Sequence, residues 1–308
     1  MKDVALFLLK RLGWLFLTLL LVFTVSFFLM RAVPGGPFQM EQAIAPEIQA
    51  RIEAQFHLDA PVLQQYFLAL GNTLQGDLGP SFKLSDYTVN EVLAEGLPRS
   101  AALGALALIF ALTLGILAGA ISAVRRGGVV DRGLMLLATI GIALPNFVIA
   151  SVLILIFVIK IPLLPAAGWG SFRYLVLPAV CLGAPFAAYI ARLTRTGLLE
   201  VLTQDYIRTA RAKGLSETRV VFSHALKGGL LPVASFLGPA VAGILTGSLV
   251  IEKVFAIPGI GTYFVQSALN RDYTLSMGTV LLYTALVASM NLLVDISYTI
   301  LDPRVTLD

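Results

Sequence analysis

DYIRTARAKGLSETRVVFSHALK, Asp205 to Lys227, lies between two strongly apolar segments. It sets Arg208, Arg211, Lys213, Arg219 and Lys227 against Asp205 and Glu217. A charged residue at the centre of a membrane helix costs about 2.5 to 3.5 kcal/mol on insertion scales, so this run belongs in water or against another protein. Its internal pattern predicts two helices. Thr203 or Asp205 is placed to cap a helix from Tyr206 to Lys213, where Thr209, Ala210 and Ala212 are small residues among bases. Gly214 ends it, since glycine takes the left-handed conformation of a helix C-terminus without steric cost. Ser216 is placed to cap a second helix, Glu217 to Leu226, which leads into Gly228 and Gly229. The pattern is helix, glycine hinge, helix, with a small-residue surface on which a bulky partner could pack.

The rest of the chain sets this loop in a membrane. It has 308 residues, 57% of them hydrophobic and 13% charged, with mean hydropathy +0.86, which excludes an ordinary soluble domain. Six segments have the roughly 20 apolar residues that a bilayer span needs: Leu9 to Met30, Ser100 to Val124, Leu134 to Ile159, Leu175 to Leu193, Leu230 to Val250 and Leu275 to Leu301. The first is longer than the 7 to 15 residues of a signal-peptide core and is read as a retained span. Lys2, Lys10, Arg11, Arg125, Arg126, Arg132, the central loop and Arg304 fall on one side of the six. The positive-inside rule makes that side cytoplasmic and puts both termini there. The net charge of +4 and pI near 9.2 then reflect topology rather than nucleic-acid binding. Cys181 stands alone in an apolar setting and reads as a packed core residue.

The chain divides into residues 1–31, a polar external insertion at 32–98, and a five-helix core at 99–308 whose loop runs from 196 to 228. The insertion opens with PGGP and continues with EIQARIEAQFHL, where Ile48, Ile52 and Phe56 fall at helical spacing. Glu41, Glu47, Glu53, Asp59, Asp77, Asp86, Glu91 and Glu95 face only Arg51 and Lys83. That acidity is either a solvated surface or a docking surface for a binding protein or a cationic substrate group. Gly115 and Gly119, and Gly243 and Gly247, stand at small-xxx-small spacing, which suits close helix packing and equally a gate. Pro145, Pro178, Pro185 and Pro239 are breakers at membrane depth, tolerated where protein or a water-filled cavity meets the freed backbone groups. Asp295 is an ionisable residue within the last span, suited either to pairing with a base of the central loop or to carrying a proton.

Two motifs carry a family resemblance. RTARAKG, Arg208 to Gly214, resembles the EAA loop of permease subunits of bacterial ATP-binding-cassette (ABC) importers, in the form found in the peptide and nickel branch. It departs from the wider pattern at Arg208 and Thr209, where the family's leading Glu and first Ala stand. A second departure is Lys227, where a proline is common; Pro232 is the nearest substitute. IEKVFAIPGIGTYFVQSALNRDY, Ile251 to Tyr273, matches the E-x-x-F-x-x-P-G-x-G pattern of the same branch. Gly76 to Leu93, GDLGPSFKLSDYTVNEVL, resembles the external segment of the oligopeptide permease B-type chain.

The resemblance implies an all-α membrane protein with the six-helix fold of a type I ABC importer permease, moving oligopeptides inward across the bacterial cytoplasmic membrane. It implies as partners a second homologous permease, two cytoplasmic ATPase subunits, a periplasmic substrate-binding protein, the peptide itself and membrane lipid. Asp205, Tyr206, Arg208, Thr209, Ala210, Arg211, Ala212, Lys213, Gly214 and Leu215 would form the ATPase-coupling surface. Pro145, Asn146, Phe147, Gly243 and Gly247 would lie on the pathway or its gate. Glu252, Phe255, Pro258, Gly259, Gly261, Arg271 and Asp272 would order the external mouth, although Glu252 beside Lys253 also reads as an interfacial ion pair. The chain has no GxxxxGK[ST] phosphate loop, H-E-x-x-H helix, CxxC pair or G-x-S-x-G elbow, so it is expected to be neither an ATPase nor any other enzyme, and to need no cofactor. Dipeptide, glutathione and nickel permeases share the framework. A proton-coupled secondary transporter using Asp295, and a passive scaffold or channel, are the readings from other classes.

Overall fold

The computed structural model of the chain describes residues 2–34, 36–38 and 58–301. Ile48, Ile52, Phe56 and His57 of the external helix expected above lie outside them, as does the side chain of Asp295. Among the described residues the protein is helical, with no strand longer than the isolated bridge between Pro80 and Thr88. The α-helices are α1 (Lys2–Ala32), α2 (Val62–Leu74), α3 (Val89–Val124), α4 (Val129–Ala143), α5 (Asn146–Ile154), α6 (Arg173–Val201), α7 (Asp205–Ala212), α8 (Glu217–Arg219), α9 (Leu226–Gly229), α10 (Leu231–Val254), α11 (Ile260–Leu269) and α12 (Tyr273–Leu301). A π-turn, Leu155–Lys160, extends α5, and another, Val220–Ala225, joins α8 to α9.

Among the described residues, four stretches are long and apolar enough to cross a membrane unbroken: Leu9–Ala32, Val89–Val124, Arg173–Val201 and Tyr273–Leu293. Of the other two expected spans, Leu134 to Ile159 is a bent pair, whereas Leu230 to Val250 falls in the continuous α10, with a bend just before it. Val129–Ala143 meets Asn146–Lys160 at 110°, and Glu217–Gly229 meets Leu231–Leu245 at 54°. The first break follows from Pro145. The proline ring excludes the α region for the residue before it, and Leu144 accordingly sits at φ −83°, ψ 130°. Helix α4 has 15 residues, about 22 Å at 1.5 Å per residue, which is short of a bilayer core of about 30 Å. The expected single span Leu134 to Ile159 is thus two arms. Pro178, Pro185 and Pro239, also expected as breakers, instead sit inside the continuous helices α6 and α10.

Helix α3 begins eleven residues before the expected Ser100 because Thr88 and Glu91 form a capping box. The Thr88 N–H and Oγ1 reach Glu91 Oε2 at 2.9 and 2.8 Å, and the Glu91 N–H donates back to Thr88 Oγ1 at 3.2 Å.

The chain forms two compact units. In the first, residues 1–100 and 258–292, Phe23 and Phe27 of α1 pack with Met277 and Leu281 of α12, while Val89, Val92 and Leu93 pack with Ile260 and Leu275. In the second, residues 101–257, α6 is the central element and its apolar face meets α3, α5 and α10 through Leu103, Ala107, Ala150, Leu182, Ile244 and Ile251. Cys181 is buried there, as expected.

Helices α3 and α6 touch backbone to backbone. A Cβ added at Gly115 would lie 2.7 Å from Ala187 O and Ile190 Cβ, one at Gly119 would lie 2.6 Å from Thr194 Cβ, and one at Gly183 would lie 2.6 Å from Ala107 O. Apolar chains gain little by leaving lipid for each other, so small residues that admit this contact supply the packing. We expect Gly119→Val to destabilise the fold by more than the roughly 1 to 3 kcal/mol typical of overpacking, read as a lower unfolding midpoint in detergent. Gly13→Val, where a Cβ meets nothing within 4 Å, should leave the midpoint unchanged.

Candidate functional site: a surface helix and two anchored loops

Helix α7 is short, eight residues, and lies where the basic loop was expected to helix. Its cap position is Gln204, with no side-chain cap bond. Thr203 Oγ1 donates instead to Glu200 O at 2.7 Å, and Asp205 is the first helical residue, so neither expected cap forms. Ser216 does occupy the cap position of α8, again without a side-chain bond. The expected helix from Glu217 to Leu226 is realised as α8, the π-turn and α9.

Gly214 ends α7 as expected. At φ +77° it donates its N–H to Arg211 O at 2.9 Å, and Leu215 N–H reaches back to Ala210 O at 3.4 Å. These are the two bonds of a Schellman motif, which satisfy carbonyls the helix end leaves open.

Two faces of α7 are distinct. Ile207 and Ala210 point inward and are buried with Ala120 and Ala123 of α3, Leu198 of α6, and Val220 and Ala225; Leu215 packs at the edge of this cluster. Asp205, Tyr206, Arg208, Thr209, Arg211, Ala212, Lys213 and Gly214 are exposed. Ala210, expected on the outward small-residue surface, therefore serves as a base on which the helix rests. On the outward face Arg211 Nε meets Glu217 Oε1 at 2.7 Å, a bond that raises the guanidinium above its ordinary pKa and ties α7 to α8. Arg208 meets Asp205 at 3.3 Å, both exposed; such a pair contributes little stability.

The chain's return toward α10 is also glycine-dependent. A Cβ at Gly197 would lie 3.1 Å from Gly229 C and 3.3 Å from Pro232 Cδ, so the end of α6 rests on the α9–α10 turn. Pro232 stands in the first turn of α10, where a missing N–H costs nothing. It is the proline nearest in sequence to Lys227. His224 lies exposed on the π-turn.

Sequence reasoning passed over Asp131 and Arg195. Asp131 is 3% exposed and takes a bidentate pair from Arg195, Nε to Oδ1 at 2.7 Å and Nη2 to Oδ2 at 2.9 Å. Ser122 Oγ donates to Oδ1, and the Gly127 N–H donates to Oδ2 at 2.8 Å. Two parallel bonds from the guanidinium fork hold the carboxylate in one orientation. The signals available were a carboxylate in a short basic turn and an arginine within the last two turns of a span, neither specific by itself.

The expected external-mouth residues are largely interior. Glu252 and Phe255 are buried at the end of α10, whereas Lys253 is exposed. Ala256 closes that helix at φ +48°, with Ile257 N–H on Glu252 O at 2.9 Å. In the first unit, Arg99 Nη1 donates to Pro258 O at 3.1 Å, and the N–H of Ile260, which follows Gly259, donates to Ser100 Oγ at 2.9 Å. Gly261 is buried in the first turn of α11.

Asp272 is the fastening point of this unit, at 1% exposure. Its carboxylate accepts from Ser81 Oγ, from Phe82 N–H at 3.1 Å, from Lys83 N–H at 3.3 Å and from Leu275 N–H at 3.1 Å. It thereby joins the Gly76 to Leu93 stretch to the start of α12, which brings two of the sequence's motifs together. Arg271, at φ +58°, donates to Pro34 O at 3.1 Å.

Among the pathway candidates, Pro145 makes the break between α4 and α5, Asn146 is half-buried, and Phe147 is exposed. Gly243 faces the Phe186 ring, 2.9 Å from where a Cβ would stand, which is a packing contact with α6. The surroundings of Gly247 lie outside the described residues. Among the described residues no cluster of metal-ligating side chains occurs.

Two family models cover nearly the whole chain: "Binding-protein-dependent transport system inner membrane component" over residues 111–307, and the N-terminal part of such membrane components over residues 4–103. The oligopeptide transport system permease protein OppB of Salmonella typhimurium is 46% identical over 290 residues, covering 94% of this chain and 95% of that protein. OppB of Haemophilus influenzae is 47% identical over 301 residues, covering 97% and 98%. The dipeptide transport system permease protein DppB of Bacillus subtilis is 46% identical over 301 residues, covering 98% of each. Among solved structures, a chain of the MetNI methionine ABC transporter in an inward-facing conformation matches with TM-score 0.58 at 20% identity, covering 68% of this chain and 96% of that one. The fold is that of a type I ABC importer permease.

Replacing Asp272 by Asn leaves an amide oxygen and an amino group where two carboxylate oxygens accepted bonds. A bond to a charged group contributes about 1.5 to 3 kcal/mol, so we expect Asp272→Asn to loosen residues 76–88. Limited proteolysis of the detergent-solubilised protein should cut there faster than in the parent.

Proposed function

The chain belongs to the family of binding-protein-dependent transport system inner membrane components, and from that premise we propose that it is one of two permease subunits of an ABC importer that carries oligopeptides inward. The observation that carries this reading is α7: a basic, mostly exposed helix whose inner face is buried against α3 and α6. Separate ATPase subunits supply the energy, in keeping with the absence of a phosphate loop from this sequence. Asp205, Tyr206, Arg208, Thr209, Arg211, Ala212, Lys213 and Gly214 meet the ATPase. Ile207, Ala210 and Leu215 transmit its motion inward. Both termini and α7 face the cytoplasm, consistent with the distribution of bases among the short loops.

Closure of the ATPases on ATP would displace α7, and with it the ends of α3 and α6, switching the pathway between two states as packed elements shift. The break at Pro145 to Phe147 and the Gly243 face of α10 lie on the moving side of that pathway. The segment fastened by Asp272, with Glu252, Phe255, Pro258, Gly259, Gly261 and Arg271, orders the outer mouth, where a peptide-loaded binding protein docks. The similarity to DppB supports dipeptides as a second substrate class on the same framework.

The test is to tag the chain, extract it gently from its native membrane and identify what accompanies it. A second permease and ATPase subunits are expected, with ATP hydrolysis stimulated by a peptide-loaded binding protein. Isolation of the chain alone, with transport driven by an imposed proton gradient, would remove the reading.

Gly214→Val places a β-branched residue at φ +77°, a left-handed conformation costing about 1 to 2 kcal/mol for an L-residue. The chain should still insert, while ATP-driven uptake falls several-fold and ATPase co-purification weakens. Undiminished uptake would show that the geometry of this turn does not matter for coupling.

A further inference from the structure

We infer that Asp131 and Arg195 are positioning residues that make the α7 ends of α3, α4 and α6 a single mechanical body. This rests on the coupling role proposed for α7. Three elements converge on one carboxylate: Ser122 from α3, Arg195 from α6, and the Gly127 N–H from the turn leading into α4, whose own Asp131 supplies the oxygens. All four donors are directional, and Asp131 is almost wholly enclosed. Gly127, at φ +76°, turns its N–H onto the carboxylate.

The position of this clamp gives it a role in coupling. Helix α6 ends six residues beyond Arg195, at Val201, and leads to α7 through Leu202 to Gln204. Leu198, one turn from Arg195, is in the cluster that buries Ile207 and Ala210 of α7; Ala120 and Ala123, which flank Ser122, are in the same cluster. Gly119 lies against Thr194, the residue before Arg195. A displacement of α7 therefore reaches α6 and α3 through apolar contacts, and apolar contacts alone permit sliding. The bidentate pair does not, because any shift between α3, α4 and α6 leaves a buried carboxylate short of donors. The clamp converts a push on α7 into a joint movement of three spans, and through α4 it reaches the break at Pro145.

A purely fold-stabilising pair would have a different signature. Its loss would lower the yield of assembled complex, and hydrolysis and uptake would fall together in proportion. Loss of a coupling clamp lowers the peptide moved per ATP while hydrolysis continues.

The experiment uses the full complex, with its ATPases and binding protein, reconstituted in proteoliposomes. Asp131→Asn and Arg195→Lys are compared with the parent for assembly yield, ATP hydrolysis with and without peptide-loaded binding protein, and peptide taken up per ATP. Allosteric coupling energies span about 5- to 150-fold, so Asp131→Asn is expected to lower uptake per ATP at least about 5-fold while hydrolysis stays within about 2-fold. Arg195→Lys, which keeps the charge but not the fork, should fall between. Should Asp131→Asn fail to assemble, Arg195→Lys and Ser122→Ala provide the same readout. Unchanged uptake per ATP in every variant that assembles, or uptake and hydrolysis declining in parallel with yield, overturns the clamp. A parent complex that shows no ATP-driven uptake overturns the coupling reading itself, a result separate from either outcome in the variants.

Discussion

The close approach of α3 to α6 is the contact on which the second unit depends. Gly115, Gly119 and Gly183 leave the facing backbone where a side chain would otherwise stand, and α6 is buried along most of its length as a result. In lipid an apolar helix surface gains little by leaving the acyl chains, so association relies on the dispersion gained when backbones come near. Because the two helices are this close, Ala120 and Ala123 at the end of α3 reach the inner face of α7. The surface helix is thus built on the membrane-embedded pair.

In each unit one buried carboxylate does what apolar packing does not. Asp272 gathers the N–H groups of Phe82, Lys83 and Leu275 and the hydroxyl of Ser81. Asp131 gathers Arg195, Ser122 and Gly127. A carboxylate offers about four acceptor positions, and its burial is tolerable only when they are filled. Each site therefore fixes several chain segments at once. Apolar clusters tolerate small slides; these bonds have one arrangement.

Helix ends show how far local sequence reaches. Gly214 announced a left-handed helix end and the structure has one. Ala256 and Arg271 close α10 and α11 in the same way, at φ +48° and +58°, and nothing in their identity signals it. An alanine or arginine adopts this conformation only when its surroundings enforce it. Here the surroundings are a buried Phe255 and Ile257 on one side and the Asp272 carboxylate on the other. Thr88 and Glu91 are the converse case: the capping box was present in the sequence, but a count of apolar residues starts the span at Ser100, past the polar first turns of the helix.

The sequence by itself determined that the chain crosses a membrane, which segments are apolar, that a basic helix–glycine–helix segment lies between two of them, and which family the chain resembles. The first three follow from composition and periodicity, which are local and additive; the family follows from the resemblance of its motifs. Tertiary structure alone decided that Ala210 faces inward while its neighbours face out, that Pro145 breaks a span whereas Pro178, Pro185 and Pro239 do not, and that Asp131 meets Arg195 across 64 positions of chain. Each of these depends on what a residue packs against rather than on what it is. Long-range partners of a lone carboxylate or glycine leave no periodic trace in a single sequence.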